Sequence, residues 1–152
     1  WKMHGSRAMA RDLCAGILAS RASFAGVDVG VCPPYVLLPQ VADSLRGSGI
    51  VWGAQDLSEH AGGAYTGEVA ASMLTDFDAS IVIVGHSERR ALHAETDTQT
   101  VNKLRQARAA GLLPILCVGE TLDERKAGST EAVVARQLDA VLQAADAAAL
   151  LE

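Results

Sequence analysis

Ser80-Ile81-Val82-Ile83-Val84-Gly85-His86-Ser87-Glu88-Arg89-Arg90 is the stretch on which the fold turns. Ile81 to Val84 are all β-branched and apolar, the composition of a strand buried on both faces. Gly85 permits a sharp exit, and Ser87 and Glu88 suit the start of a helix. Further on, Thr96 and Gln99 form a T-x-x-Q capping box that opens a helix through Ala110, stopped by Gly111. Leu112 to Val118 then reads as another strand. Strand, helix, strand in this order is a crossover unit, and a crossover makes neighbouring strands parallel.

The same alternation extends towards the N-terminus. Ile50-Val51-Trp52-Gly53-Ala54-Gln55 reads as a strand, followed by a polar, Gly-rich loop from Ser58 to Gly67 and a short helix from Glu68 to Leu74. Before it, Val27 to Cys32 forms a strand stopped by Pro33-Pro34. Tyr35 to Leu45 is predicted helical, with Leu38, Val41, Ala42 and Leu45 on one face. Ser6 caps a first helix whose core stripe is Met9, Leu13, Cys14 and Ile17, and Val134, Leu138, Val141 and Leu142 mark a last one. One helix and four strand–helix units, repeating at roughly thirty residues, define an α/β chain with a parallel sheet. A barrel and an open doubly wound sheet both satisfy that pattern. Residues 1–152 form a single domain, with no linker or low-complexity tract between them.

Composition narrows the function. The chain has 152 residues, 49% hydrophobic and 20% charged, which is globular rather than disordered. Thirteen basic against eighteen acidic residues give a net charge of -5 and no basic block, which argues against nucleic acid as a partner. No apolar run approaches the ~18 residues of a membrane helix. Cys14, Cys32 and Cys117 are dispersed among apolar neighbours, as reduced, buried thiols of a cytoplasmic protein would be, and no metal site is expected. No Walker loop or G-x-G-x-x-G is present, since Gly47-Ser48-Gly49 lacks a third glycine. The opening Trp1-Lys2 and the Ala/Leu-rich close at Leu150-Leu151-Glu152 read as the ends of a piece of something longer.

In parallel α/β folds chemistry collects where strands end and helices begin. His86 stands at such a tip, where the positive end of a helix dipole disfavours its protonated form and leaves a neutral imidazole able to donate. The plain alternative is a histidine that merely ends a strand. For an isolated histidine that alternative would prevail; the crowding of Glu88, Arg89 and Arg90 around it narrows the margin.

Taken together, these residues resemble the triosephosphate isomerase family. Ile83 to Arg90 is similar to the family's electrophile loop, and Trp1-Lys2-Met3-His4-Gly5 to the loop after its first strand. Gly53-Ala54-Gln55 resembles the end of the third strand, and Gly62 to Glu68 the long dimer loop. Leu116-Cys117-Val118-Gly119-Glu120 resembles the end of the fifth. The resemblance implies a partial (β/α)8 TIM barrel containing the family's strands two to five and helices one to five, out of ~250 residues in all. It further implies a reaction of glycolysis and gluconeogenesis: dihydroxyacetone phosphate and D-glyceraldehyde 3-phosphate interconverting through an enediolate, without a cofactor.

On this resemblance the catalytic residues are His86, Lys2 and Glu88. His86 is the neutral electrophile, Lys2 the positive charge towards the substrate, and Glu88 the group that holds Lys2; His86 and Lys2 bind the triose phosphate. Tyr65, Thr66, Gly67, Glu68 and Arg89 would form the interface of a homodimer built through the loop around Thr66. Without the resemblance, Lys2 is a solvated lysine, Glu88 and Arg89 ordinary helix-start charges, and the Thr66 loop a mobile surface loop. Cys117 is given a packing role. His4 stands where many relatives carry asparagine.

The family's base, a glutamate beyond the fifth helix, matches no position here, and Glu120 and Glu131 lie elsewhere. The 152 residues by themselves are therefore expected to be inactive and prone to aggregate through open strand edges. A non-catalytic half-barrel used for binding or scaffolding, and another sugar-phosphate-handling barrel, are the competing readings.

Overall fold

The computed structural model describes residues 1–144; the Leu150–Glu152 tail, and with it the end of the 1–152 domain, lies outside the described residues. Four parallel strands run β1 (Gly30–Val31), β2 (Val51–Ala54), β3 (Ile81–Val84) and β4 (Leu113–Leu116), paired in sequence order. Register is fixed by Gly30 opposite Val51, Gly53 opposite Ile81 and Ile81 opposite Leu113. Between β2 and β3 the backbones come so close that a Cβ on Gly53 would lie 1.7 Å from the Ile81 carbonyl oxygen. Only glycine fits there.

The helices are α1 (Arg7–Ala19), α2 (Leu38–Leu45), α3 (Ala71–Thr75), α4 (Ser87–Leu92), α5 (Asp97–Ala109), α6 (Leu122–Lys126) and α7 (Thr130–Ala144). Grouped by the strand they follow, with α4 and α5 after β3 and α6 and α7 after β4, they make five helical units. The Ser6 hydroxyl accepts from the Met9 N–H to cap α1. Both arms of the Thr96–Gln99 capping box are present on α5. A second box, Thr121 with Glu124, opens α6 and is as plain in the sequence as the first.

The core lies between one face of the sheet and the helices. Val82, Val84, Ala54, Val41 and Leu45 are fully buried there. The opposite face is open. Val51 and Ile115 are exposed, Leu113 is 63% exposed, and with Ile83, Met9 and Leu13 they line a shallow apolar cleft.

Several expectations change accordingly. β3 is buried fully on one face only, Ile83 being half-buried. Met9 and Leu13, expected in the core, are 42% and 41% exposed and line the cleft, while α1 buries Ala10 and Cys14. The last helix buries Val133, Gln137 and Val141; of the predicted stripe Val141 is buried and Val134 half-buried, while Leu138 and Leu142 are exposed. Its register is set by Gln137, whose amide both donates to and accepts from the Gly119 backbone (3.0 and 2.8 Å). The first strand shrinks from Val27–Cys32 to Gly30–Val31, paired with β2. The third helix begins at Ala71 rather than Glu68. Tyr35–Leu37 is a 3-10 turn leading into α2, where Pro39 sits in the first turn and needs no N–H partner.

Candidate active site

Gly85 leaves β3 at φ +71°, in the left-handed region that favours glycine, and turns the chain so that His86 becomes the N-cap of α4. The imidazole caps its own helix. Its Nδ1 accepts the Glu88 backbone N–H at 3.1 Å. A ring nitrogen that accepts cannot carry a proton, so in this arrangement the neutral ring holds its hydrogen on Nε2. His86 thus keeps one N–H for a further acceptor.

Lys2 reaches the same place from the other end of the chain. Its backbone has φ +50°, uncommon for a residue with a side chain, and its Nζ donates to Glu88 Oε1 at 2.5 Å. The other Glu88 oxygen lies 3.9 Å from His86 Nδ1, beyond hydrogen-bonding distance. One carboxylate therefore stands between an ammonium and an imidazole at the C-terminal tip of β3. The hydrogen bond from Lys2 holds the Glu88 carboxyl below the usual carboxylate range. The His4 backbone N–H donates to the Trp1 carbonyl (3.2 Å).

Arg89 turns away from solvent. Its Nε lies 2.7 Å from Glu95 and 2.9 Å from Asp56, and Lys103 Nζ lies 2.6 and 2.8 Å from the same two residues. Two cations and two carboxylates make a neutral, largely buried cluster. Nothing local in the sequence announces it, since Asp56 and Lys103 are 47 positions apart. Burial pushes the two carboxyls up, but in Glu95 the hydrogen bonds from Lys103 and Arg89 prevail and its value falls below the ordinary one. In Asp56 burial prevails and the value rises.

This cluster and Glu59 hold the base of the loop that carries Thr66. Glu59 accepts from Gln99 and Asn102 of α5 at 3.1 and 2.9 Å, and the Ser58 N–H donates to the Val69 carbonyl at 2.8 Å. From Ala61 to Glu68 every residue is exposed, Tyr65, Thr66, Gly67 and Glu68 included. The Tyr65 ring stacks on His60 at 3.7 Å between centroids. The result is a protruding loop on a pinned base.

Arg90 points back along the chain, donating from Nε to the Gly85 carbonyl (2.9 Å) and from Nη1 to Asp97 (2.5 Å). Glu120 accepts from Arg125 at 2.6 Å and from Thr130 at 3.3 Å, so it is occupied. Cys32 and Cys117 are half-buried rather than buried, and burial pushes the Cys32 thiol up to about 11. Among the described residues no three His, Cys, Asp or Glu side chains converge on a possible metal ion, and no helix is long and apolar enough to cross a membrane.

The family model described as triosephosphate isomerase matches residues 1–151. The chain is 55% identical to a triosephosphate isomerase of Thiobacillus denitrificans over 150 residues, covering 99% of this chain and 59% of that one. A Dechloromonas aromatica triosephosphate isomerase is also 55% identical, with 99% and 60% covered. Among solved structures, triosephosphate isomerase from Bartonella henselae superposes with a TM-score of 0.85 at 38% identity, over 93% of this chain and 58% of that one. The chain thus spans about three fifths of the length of the relatives it matches.

Proposed function

Since the chain belongs to the triosephosphate isomerase family, we propose that it supplies the electrophilic half of a triose phosphate isomerase site. The substrate is dihydroxyacetone phosphate or D-glyceraldehyde 3-phosphate. As a base removes the carbon-bound proton, negative charge passes to the carbonyl oxygen. The Nε2–H of His86 donates to that oxygen, and the Lys2 ammonium lowers the energy of the developing enediolate. Glu88 acts through Lys2, steering the ammonium towards the substrate. The observation that carries this reading is the meeting of Lys2 and His86 at the Glu88 carboxylate, 2.5 Å from Lys2 Nζ and 3.9 Å from His86 Nδ1.

The base comes from the remainder of the barrel. Glu88 is taken up by Lys2, and Glu120 by Arg125 and Thr130, so neither is free to abstract a proton. The 152-residue chain alone is accordingly expected to show no turnover. The test uses a complete barrel, made by extending this sequence at both ends with the corresponding segments of the Thiobacillus denitrificans relative. In a coupled dehydrogenase assay His86→Gln should lower kcat by the ~2.7–4 kcal/mol typical of a lost oxyanion donor, about a hundredfold or more. Turnover by the isolated chain, or an unchanged kcat in the variant, overturns the assignment.

A homodimer formed through Tyr65, Thr66, Gly67 and Glu68 is part of this reading. The support is a loop wholly exposed at its tip and tied down at its base. Arg89 contributes by bracing that base from within. Sedimentation of the complete barrel should give a dimer, and Thr66→Arg a monomer. A reducing compartment such as the cytoplasm suits the three free thiols.

A further inference from the structure

We propose that Arg90, held by Asp97 and through it by Arg136, is a positioning residue that fixes the peptide preceding His86 and thereby aims the imidazole. The inference rests on the reading of His86 as the electrophile. Among the described residues the His86 ring makes one hydrogen bond, to the N–H of Glu88 in its own helix, so its direction depends on how the chain leaves β3. That exit is the Gly85 peptide. Its left-handed φ is not held by glycine's preference alone, because glycine permits many conformations and enforces none.

What enforces it is packing. An added Cβ on Gly85 would lie 2.8 Å from Thr100 Cγ2, 2.9 Å from Arg90 Nη2 and 3.2 Å from the Cys117 carbonyl oxygen. The Gly85 carbonyl is gripped by Arg90 Nε at 2.9 Å. The guanidinium cannot swing away, because its Nη1 is bound to Asp97 Oδ1, and the second Asp97 oxygen is bound to Arg136 of α7. Arg90 and Asp97 are 16% and 19% exposed, so water competes weakly for these charge-assisted bonds. One fork thus ties the strand tip to the first residue of α5 and onward to α7. A lysine could not do this, since it lacks the planar pair of donors set at a fixed angle.

The test takes the complete barrel with Arg90→Met, Arg90→Lys and Asp97→Asn, reading kcat, KM, melting temperature and the 15N spectrum of the His86 ring. The unaltered protein should show the Nε2–H tautomer. Arg90→Met should lower kcat about tenfold to a hundredfold, as misplacement of a catalytic group does, with KM within twofold and the ring spectrum moving towards mixed tautomers. Arg90→Lys should restore less than half of the loss, and Asp97→Asn should fall short of Arg90→Met in the same direction. An unchanged ring spectrum in a folded variant overturns the proposal, whether or not kcat falls, because loss of activity without it is structural only. If Arg90→Met does not fold, Asp97→Asn decides by the same spectrum. Should the unaltered barrel prove inactive while the ring still responds to Arg90, the isomerase reading fails and the positioning role stands.

Discussion

Glu88 and Arg89 are consecutive in the chain, yet they enter opposite kinds of charged grouping. Glu88 meets Lys2 where the two side chains are 45% and 60% exposed. Arg89 joins Asp56, Glu95 and Lys103, of which Glu95 and Lys103 are only 3% and 6% exposed. Water screens the first pair, so it adds little to stability, and its charges stay available to a ligand. In the second grouping desolvation is offset only because every charge has partners; removing one leaves the others buried and unmatched. On the proposed reading the exposed pair serves the chemistry, while the buried cluster of four braces the base of the Thr66 loop.

Four measurements on the complete barrel would break or sharpen that contrast. The largest effect is expected from Lys103→Met, which removes the most buried cation, leaves Asp56 and Glu95 to share Arg89 alone, and should cost about 3–5 kcal/mol in denaturant unfolding. A loss below 1 kcal/mol would mean the cluster is not the scaffold described. Arg89→Met leaves Lys103 in place and should cost less, about 1.5–3 kcal/mol, the range for a hydrogen bond to a charged group.

Acid titration of the melting temperature should separate the two buried carboxyls. The folded value of Glu95 is lowered, so its stabilisation is full above its ordinary 4.5 and is lost as pH falls from there through the folded value. Asp56 is raised above its ordinary 3.8, so it opposes folding once ionised and becomes less unfavourable on acidification. Glu95→Gln should therefore flatten the loss of stability below pH 4.5. A steeper loss in that variant would reverse the assignment of the two. The smallest change in stability belongs to Glu88→Gln, whose melting temperature should match the unaltered protein while kcat falls. A clear drop in melting temperature there would erase the distinction between the groupings.

Much of this was legible in residue order because it is local. The Thr96–Gln99 box, the Ser6 cap and the buried face Leu38, Val41, Ala42 and Leu45 depend on neighbours within two turns, and the structure has all of them. His86 was identifiable as a strand-tip group followed by a helix start, and Lys2 and Glu88 came from the family's motifs. What escaped were features with no local sign: the cluster joining Asp56 to Lys103, the inward turn of Arg89, and the face α7 buries.

From residue order alone came the alternation of strands and helices, the parallel sheet and the place of His86 at a strand tip, since hydrophobic period, capping chemistry and Gly–Pro punctuation act over a few residues. Only the tertiary structure decided which charges are sealed from water, which apolar residues stay on the open face, and that Lys2 meets the carboxylate of Glu88. These depend on distances between segments far apart in the chain, which packing sets and short-range pattern does not encode.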